Sequence, residues 1–360
     1  MIKIGDIDKI ECVRADDIHE GIRAYDNTRL VAINTCPVWG AVRYGLGLAM
    51  PGSARAMALE AGSACHDVFA AARLWDLYKQ GLGQHFNHHG NRLFGNTRFA
   101  EMCDKLQQFV GDDERTQMLN FCLEALYTSG FYDDPMDKNR TVANLEEACI
   151  VYLDRVRWKR PVWVSDADDP TSMVGIEIPF NLVITFTLKS GEPFIYRFIG
   201  RIDGVHWDSP DRKRIELEEN KTAFRLGDAW REAFLLSHQV TGYLIALQTL
   251  TDIESHNVVV HGLAIPQPRS RDYGGVERVP IIRYQHQFAE WFHWFLNSAI
   301  TYEDAIGQET DMPKFTHSCN RYFRPCSFIP LCYAPPDERQ ETLDGMVESV
   351  WNPLHEGGSN

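Results

Sequence analysis

Apolar positions recur at helical spacing over residues 54–78, where Met57, Ala61, Ala64, Val68, Ala71, Leu74, Trp75 and Tyr78 fall on one stripe. Further helical periodicity covers residues 99–110, 114–127 and 141–156, after a Gly-, His- and Asn-rich stretch at 81–96 that reads as a loop. The period then shortens. Residues 175–189, 193–207 and 213–221 are β-rich runs separated by the turn signals Ser190-Gly191-Glu192 and Ser209-Pro210-Asp211, which predicts a meander of three strands. Helical spacing returns at 230–250, a Val-rich strand is expected at 256–265, and an aromatic-rich helix at 281–301. The first ~30 residues are polar and lack a period. This order predicts an α/β core with a helical insertion at about residues 81–160.

Composition narrows the class without naming it. Of the 360 residues, 44% are hydrophobic and 24% charged, the balance of a soluble globular protein. There is no apolar run of membrane-spanning length, and the N-terminal residues MIKIGDIDKIECVRADD lack the basic and apolar regions of a signal peptide. A cytoplasmic protein without a membrane partner is the expectation. The net charge of -14 argues against a broad electrostatic coat on nucleic acid, but it leaves room for a local basic groove.

The second β-run ends in Gly200-Arg201-Ile202-Asp203-Gly204, and the third reads Ile215-Glu216-Leu217-Glu218-Glu219-Asn220-Lys221. Alternation along a strand puts Ile215, Leu217, Glu219 and Lys221 on one face, which singles out Glu219 over Glu216 and Glu218. An acid and a lysine that follow two apolar residues on one face suit phosphodiester hydrolysis. Carboxylates there hold Mg²⁺ or Mn²⁺, and a lysine steers the attacking water or stabilises developing charge. A lone Glu-x-Lys is common on solvated strands, so the surrounding elements decide its weight. Upstream, Gly62-x-x-x-His66 lies within the first helix; downstream, Gln239 and Tyr243 stand one helical turn apart.

In this order the four motifs resemble the RecB-like branch of the PD-(D/E)XK nuclease superfamily, which includes CRISPR-associated exonucleases and phage nucleases. The resemblance spans residues 35–333 and implies a restriction-endonuclease-like core, a central mixed sheet flanked by helices. It further implies a metal-dependent deoxyribonuclease, an exonuclease that hydrolyses phosphodiester bonds in DNA recombination, repair or phage replication, in a bacterial cell or phage-infected host. Its substrate would be single-stranded DNA or duplex ends, with a helicase, annealing protein or integrase as a possible partner. His66, Asp203, Glu219 and the Asn220 backbone carbonyl would hold Mg²⁺ or Mn²⁺. Lys221 would be the catalytic lysine, with Gln239 and Tyr243 lining the site. Glu177, opening the first strand, is a weaker candidate for the same cleft. A non-catalytic DNA-binding or assembly subunit is the alternative.

The nine cysteines divide by context. Cys12, Cys65, Cys103, Cys122 and Cys149 are scattered and read as small buried hydrophobes. Cys319, Cys326 and Cys332 fall in a short loop without helical period, where thiolate ligation of a metal or cluster is the physical alternative to packing. The family resemblance implies that Cys36 joins these three to hold a structural 4Fe–4S cluster. Here the C-x6-C-x5-C spacing departs from the family's C-x2-C-x5-C, with Phe323 where a cysteine would fall, so Zn²⁺ or a His317 ligand stays open.

His85, His88 and His89 read as a solvated loop, Trp291-Phe292-His293-Trp294 as helix core, and Arg43, Arg55, Arg225, Arg231, Arg321 and Arg324 as potential phosphate contacts. The expected organisation is an N-terminal segment (1–34), a nuclease domain (35–335) with a Cys-rich loop at 311–335, and a C-terminal tail (336–360).

Overall fold

The computed structural model describes residues 2–15, 21–51, 57–85, 106, 113–155, 161–169, 171–209, 211–265, 275–307, 312–321 and 324–351. Two compact units emerge. One is Met1–Arg55, Phe180–Gly200 and Gln285–Asn360; the other is Ala56–Pro179 and Arg201–Tyr284. The fold is α/β. Seven strands form a mixed sheet: β1 (Ile7–Arg14), β2 (Ala24–Tyr25), β3 (Ile176–Leu188), β4 (Pro193–Trp207), β5 (Ile215–Ala223), β6 (Asn257–Ala264) and β7 (Val276–Ile282). The order is β1-β3-β4-β5-β6-β7, with β2 laid parallel on β4. The main helices are α1 (Asn27–Thr35), α2 (Met57–Lys79), α3 (Glu114–Tyr127), α4 (Val142–Arg155), α5 (His238–Thr251) and α6 (Gln285–Gly307). Among the described residues, no helix is long and apolar enough to cross a membrane.

In the second unit β4 and β5 are antiparallel, with Gly204 opposite Glu218, and β5 runs parallel to β6. Parallel neighbours require a crossover, and α5 supplies it. The N-cap Ser237 accepts a bond from the Val240 N–H, which fixes where α5 starts. Val258, Val259 and Val260 of β6 are all buried, as expected for a strand covered on both faces. Helices α2, α3 and α4 pack through Val68, Phe69, Leu74, Phe121, Leu126 and Tyr152 into one apolar cluster. Cys65, Cys122 and Cys149 are buried in it, in keeping with their reading as small hydrophobes.

The first unit has an aromatic core. Tyr25, Tyr196 and Tyr302 meet edge to face, and Trp291 packs on Phe198 and Phe295. Trp291 is therefore core, as its place on an apolar helix predicts.

Three local expectations change. The N-terminal stretch is not irregular, since it contains β1, β2 and the start of α1. β1 lies at one end of the strand order and exposes much of its side-chain surface, so its polar sequence hides the strand. The expected helix at 230–250 divides into a turn, Asp228–Glu232, and α5. The expected helix at 281–301 starts later, because Val276–Ile282 is the edge strand β7 and tolerates Pro280 there. Of the helix expected at 99–110, only residue 106 is described; Cys103, His88, His89 and Arg55 also lie outside the described residues.

Gly200 has a packing reason of its own. A Cβ there would lie 2.5 Å from Cζ of the buried Phe180 ring. Gly200→Ala is accordingly expected to destabilise by about 1–3 kcal/mol, seen as a lower urea midpoint at unchanged slope. An unchanged midpoint would show that the ring yields freely.

Candidate metal centre

The centre draws on β3, β4, β5, α2 and α5, and its residues His66, Glu177, Asp203, Glu219, Lys221, Gln239 and Tyr243 all fall within the second unit. Asp203 enters from β4 and Glu219 from β5, where alternation sends Glu219 and Lys221 to one face and Glu218 and Asn220 to the other. Contacts confirm this parity. Gln239 of α5 donates to Glu219 Oε1 at 2.9 Å, while Tyr152 of α4 donates to Asn220 Oδ1 at 2.6 Å.

The Asn220 N–H donates to Asp203 Oδ2 at 2.6 Å, locking the acid of one strand to the backbone of the next. Asp203 Oδ1 faces His66 Nδ1 at 3.5 Å. His66 also bonds the Asn220 backbone, so the helix histidine touches both strands. Burial holds its pKa below the ordinary value, and Lys221 and Arg73 add to this against the pull of Asp203. His66 is thereby kept neutral, the form that binds a metal.

Lys221 Nζ lies 2.5 Å from Glu219 Oε1, and Gln239 also donates to Tyr243 Oη at 3.1 Å. Glu219, Lys221, Gln239 and Tyr243 thus form one hydrogen-bonded set. Burial opposes the charge on Lys221, but Glu219 and Asp203 together outweigh it and raise its pKa. The lysine is a cation.

Glu177 changes the expected ligand set. Among the described residues, His66, Glu177 and Asp203 are the group whose ligand atoms all lie within 4.8 Å of one another. Glu219 stays outside it, held by Lys221 and Gln239. Glu177 is 7% exposed and has φ of 46°, the left-handed region that a residue with a long side chain rarely adopts. Such strain costs about 1–3 kcal/mol and persists where the surroundings impose it. Burial, then the facing Asp203, push its pKa up to about 8. The same two causes lift Glu219 to about 7, against the pull of Lys221.

A divalent cation fits these residues. Glu177 Oε1 and Glu219 Oε2 are buried and have no hydrogen-bond partner, a costly state that a bound cation relieves. One imidazole with carboxylate oxygens is a donor set for Mg²⁺ or Mn²⁺.

Two residues that the strand pattern set aside are also part of this region. Glu216 and Glu218 are buried rather than solvated, and Glu218 pairs with Arg73 of α2 at 2.8 Å. The available signal was an arginine inside the apolar run Val68-Phe69-Ala70-Ala71-Ala72-Arg73-Leu74-Trp75.

The cysteines belong to the first unit. Cys36 caps the short helix Pro37–Gly40, Cys326 N–H donates to Cys319 O at 2.8 Å, and Cys332 lies in the helical turn Ile329–Tyr333. Burial, and next to it Cys36, raise the Cys332 thiol pKa, with Cys326 and Cys319 contributing. Yet among the described residues no three of these sulfurs come within 4.8 Å of one another. Tetrahedral Zn–S bonds of about 2.3 Å would need sulfurs about 4 Å apart. As placed, the quartet does not converge on a single zinc ion.

His85 is buried, with Nδ1 3.4 Å from Ser172 Oγ, and so is not a solvated loop residue. Arg231 is engaged by Glu277 at 3.0 Å and by Asp228, and Arg43 by the Ser349 carbonyl. Neither projects unpaired toward a phosphate. No family model and no curated protein matches the chain.

The facing carboxylates give a prediction with a definite sign. Glu177 is lifted in the folded state from 4.5 to about 8. The metal-free protein therefore loses stability as pH rises across that window, because the unfolded chain there carries fewer protons. Glu177→Gln is expected to flatten this slope, raise the melting temperature of chelator-treated protein at mildly alkaline pH, and remove the shift that Mn²⁺ gives the native chain. A native-sized Mn²⁺ shift in the variant contradicts the assignment.

Proposed function

We propose that this chain is a Mg²⁺- or Mn²⁺-dependent deoxyribonuclease with a restriction-endonuclease-like core. The observation that carries the reading is the meeting of His66, Glu177 and Asp203 beside a buried Glu219–Lys221 pair, with two carboxylate oxygens left without hydrogen bonds. An acid cluster alone is common on proteins. One that sits buried, strained and next to a lysine is arranged for anionic chemistry.

His66, Glu177 and Asp203 would hold the ion, with Glu219 at its edge. When bound, Mg²⁺ or Mn²⁺ polarises the scissile phosphate and makes water a competent nucleophile at neutral pH. The protein's share is placement. Asp203 presents Oδ1 because its other oxygen is occupied by the Asn220 N–H. Glu219 Oε1 receives Lys221 and Gln239, which leaves Oε2 to accept a proton from an attacking water. Lys221, about a third exposed at its side chain, reaches from the buried acid toward solvent and stabilises negative charge on phosphate oxygens. Tyr243 and Gln239 keep the acid from rotating.

Purified protein with Mn²⁺ is expected to degrade end-labelled single-stranded or duplex DNA. Lys221→Ala should slow cleavage by about 10²- to 10³-fold, and Asp203→Asn should abolish it. Native protein that binds DNA but leaves every substrate intact with Mg²⁺ and Mn²⁺ indicates instead a non-catalytic DNA-binding subunit.

A further inference from the structure

The centre has a support behind the strand pair that its proposed chemistry does not use. We propose that Arg73 is a positioning residue, which clamps the main chain of Asp203 so that its carboxylate is aimed at the ion, and that a buried acid–histidine chain holds Arg73 in place. The inference rests on the metal reading of the same centre.

Arg73 is 3% exposed and stands seven residues after His66, two turns along the same face of α2. One helix therefore sends His66 to the carboxylate of Asp203 and Arg73 to its carbonyl. The guanidinium is forked. Nη1 donates to Asp203 O at 2.8 Å and Nη2 to Glu218 Oε1 at 2.8 Å. It lies hard against the backbone of Gly204, where a Cβ would come 2.4 Å from Arg73 Nε. A glycine next to Asp203 is what admits the arginine.

Glu218 is fixed in turn. Its Oε2 lies 3.5 Å from His206 Nδ1, and its Oε1 3.8 Å from His261 Nε2. His206 Nε2 is 2.9 Å from Glu216 Oε2, which lies 3.7 Å from Arg278 Nη2 at the surface. The result is a chain of paired groups from Arg278 through Glu216, His206, Glu218 and Arg73 to the Asp203 peptide.

Apolar side chains would hold β4 against β5 at least as well, since burying paired charges brings little net stability. What the charged version adds is direction. Asp203 is gripped at its carbonyl by Arg73 and at Oδ2 by the Asn220 N–H, so Oδ1 is the oxygen turned to His66. Arg73 touches neither ion nor substrate in this arrangement. Its effect passes through Asp203.

The test compares Mn²⁺ affinity by calorimetry with melting temperature in native protein, Arg73→Lys, and the double variant Arg73→Met with Glu218→Leu. Lysine keeps the charge but lacks the fork. The double variant removes both charges of the Arg73–Glu218 pair at once, so neither partner is left alone in the core. Both are expected to bind Mn²⁺ about 10- to 100-fold more weakly, the usual cost of losing a group that orients a ligand, with the double variant melting near the native temperature. Gly204→Ala, which evicts the guanidinium without touching a charged residue, is expected to weaken Mn²⁺ to a similar degree. Native-like Mn²⁺ affinity in the folded double variant or in Arg73→Lys overturns the positioning role and leaves the metal reading standing. Absence of Mn²⁺ binding by the native protein overturns the metal reading itself, and this inference with it.

Discussion

Three carboxylates brought together out of water are the constraint around which the second unit is arranged. Burial, and next the facing Asp203, raise the cost of ionising Glu177 and Glu219. Such a cluster is unstable unless positive charge is fixed nearby. The chain supplies part of it through Lys221 on one side of β5 and Arg73 on the other. The remainder is what the proposed divalent ion would provide. Within this cluster, Glu177 Oε1 and Glu219 Oε2 are buried without a hydrogen-bond partner, which is where an added positive charge would be best placed.

The sheet makes the crowding possible. Antiparallel β4 and β5 place Asp203 and Glu219 on adjacent strands, and strand alternation then divides the labour. Glu219 and Lys221 go to α5, while Glu218 and Asn220 go to α2 and α4. In the proposed chemistry the face with Glu219 is the reactive one, and the face with Glu218 supports it. A one-residue slip of β5 would exchange these roles, which is why the Asn220–Asp203 bond between strands matters for more than stability.

Much of this was legible in the sequence where chemistry follows from local periodicity. Glu219 and Lys221 share a face by alternation, and Gln239 and Tyr243 by helical spacing; the structure brings these four into mutual contact. His66 and Asp203 also meet. Glu177 was underweighted because its part depends on a left-handed backbone and on an acid from another strand, neither of which has a local signature. Arg73 was missed because an arginine in an Ala-rich helix ordinarily extends its head to water; only the gap at Gly204 turns it inward. β1 and β7 were hidden by their place in the sheet, since edge strands carry polar or proline positions that mask the alternation. For the cysteine quartet, spacing along the loop suggested ligation, but among the described residues no three of its sulfurs converge on a single ion.

The central claim is that one divalent ion belongs among His66, Glu177 and Asp203. Anomalous diffraction from crystals of the full chain grown with Mn²⁺ tests it most directly. The account predicts a single strong peak within about 2.0–2.3 Å of an imidazole nitrogen of His66 and of oxygens of Glu177 and Asp203. A Mn²⁺ peak bound elsewhere, with these three side chains unliganded, would contradict it.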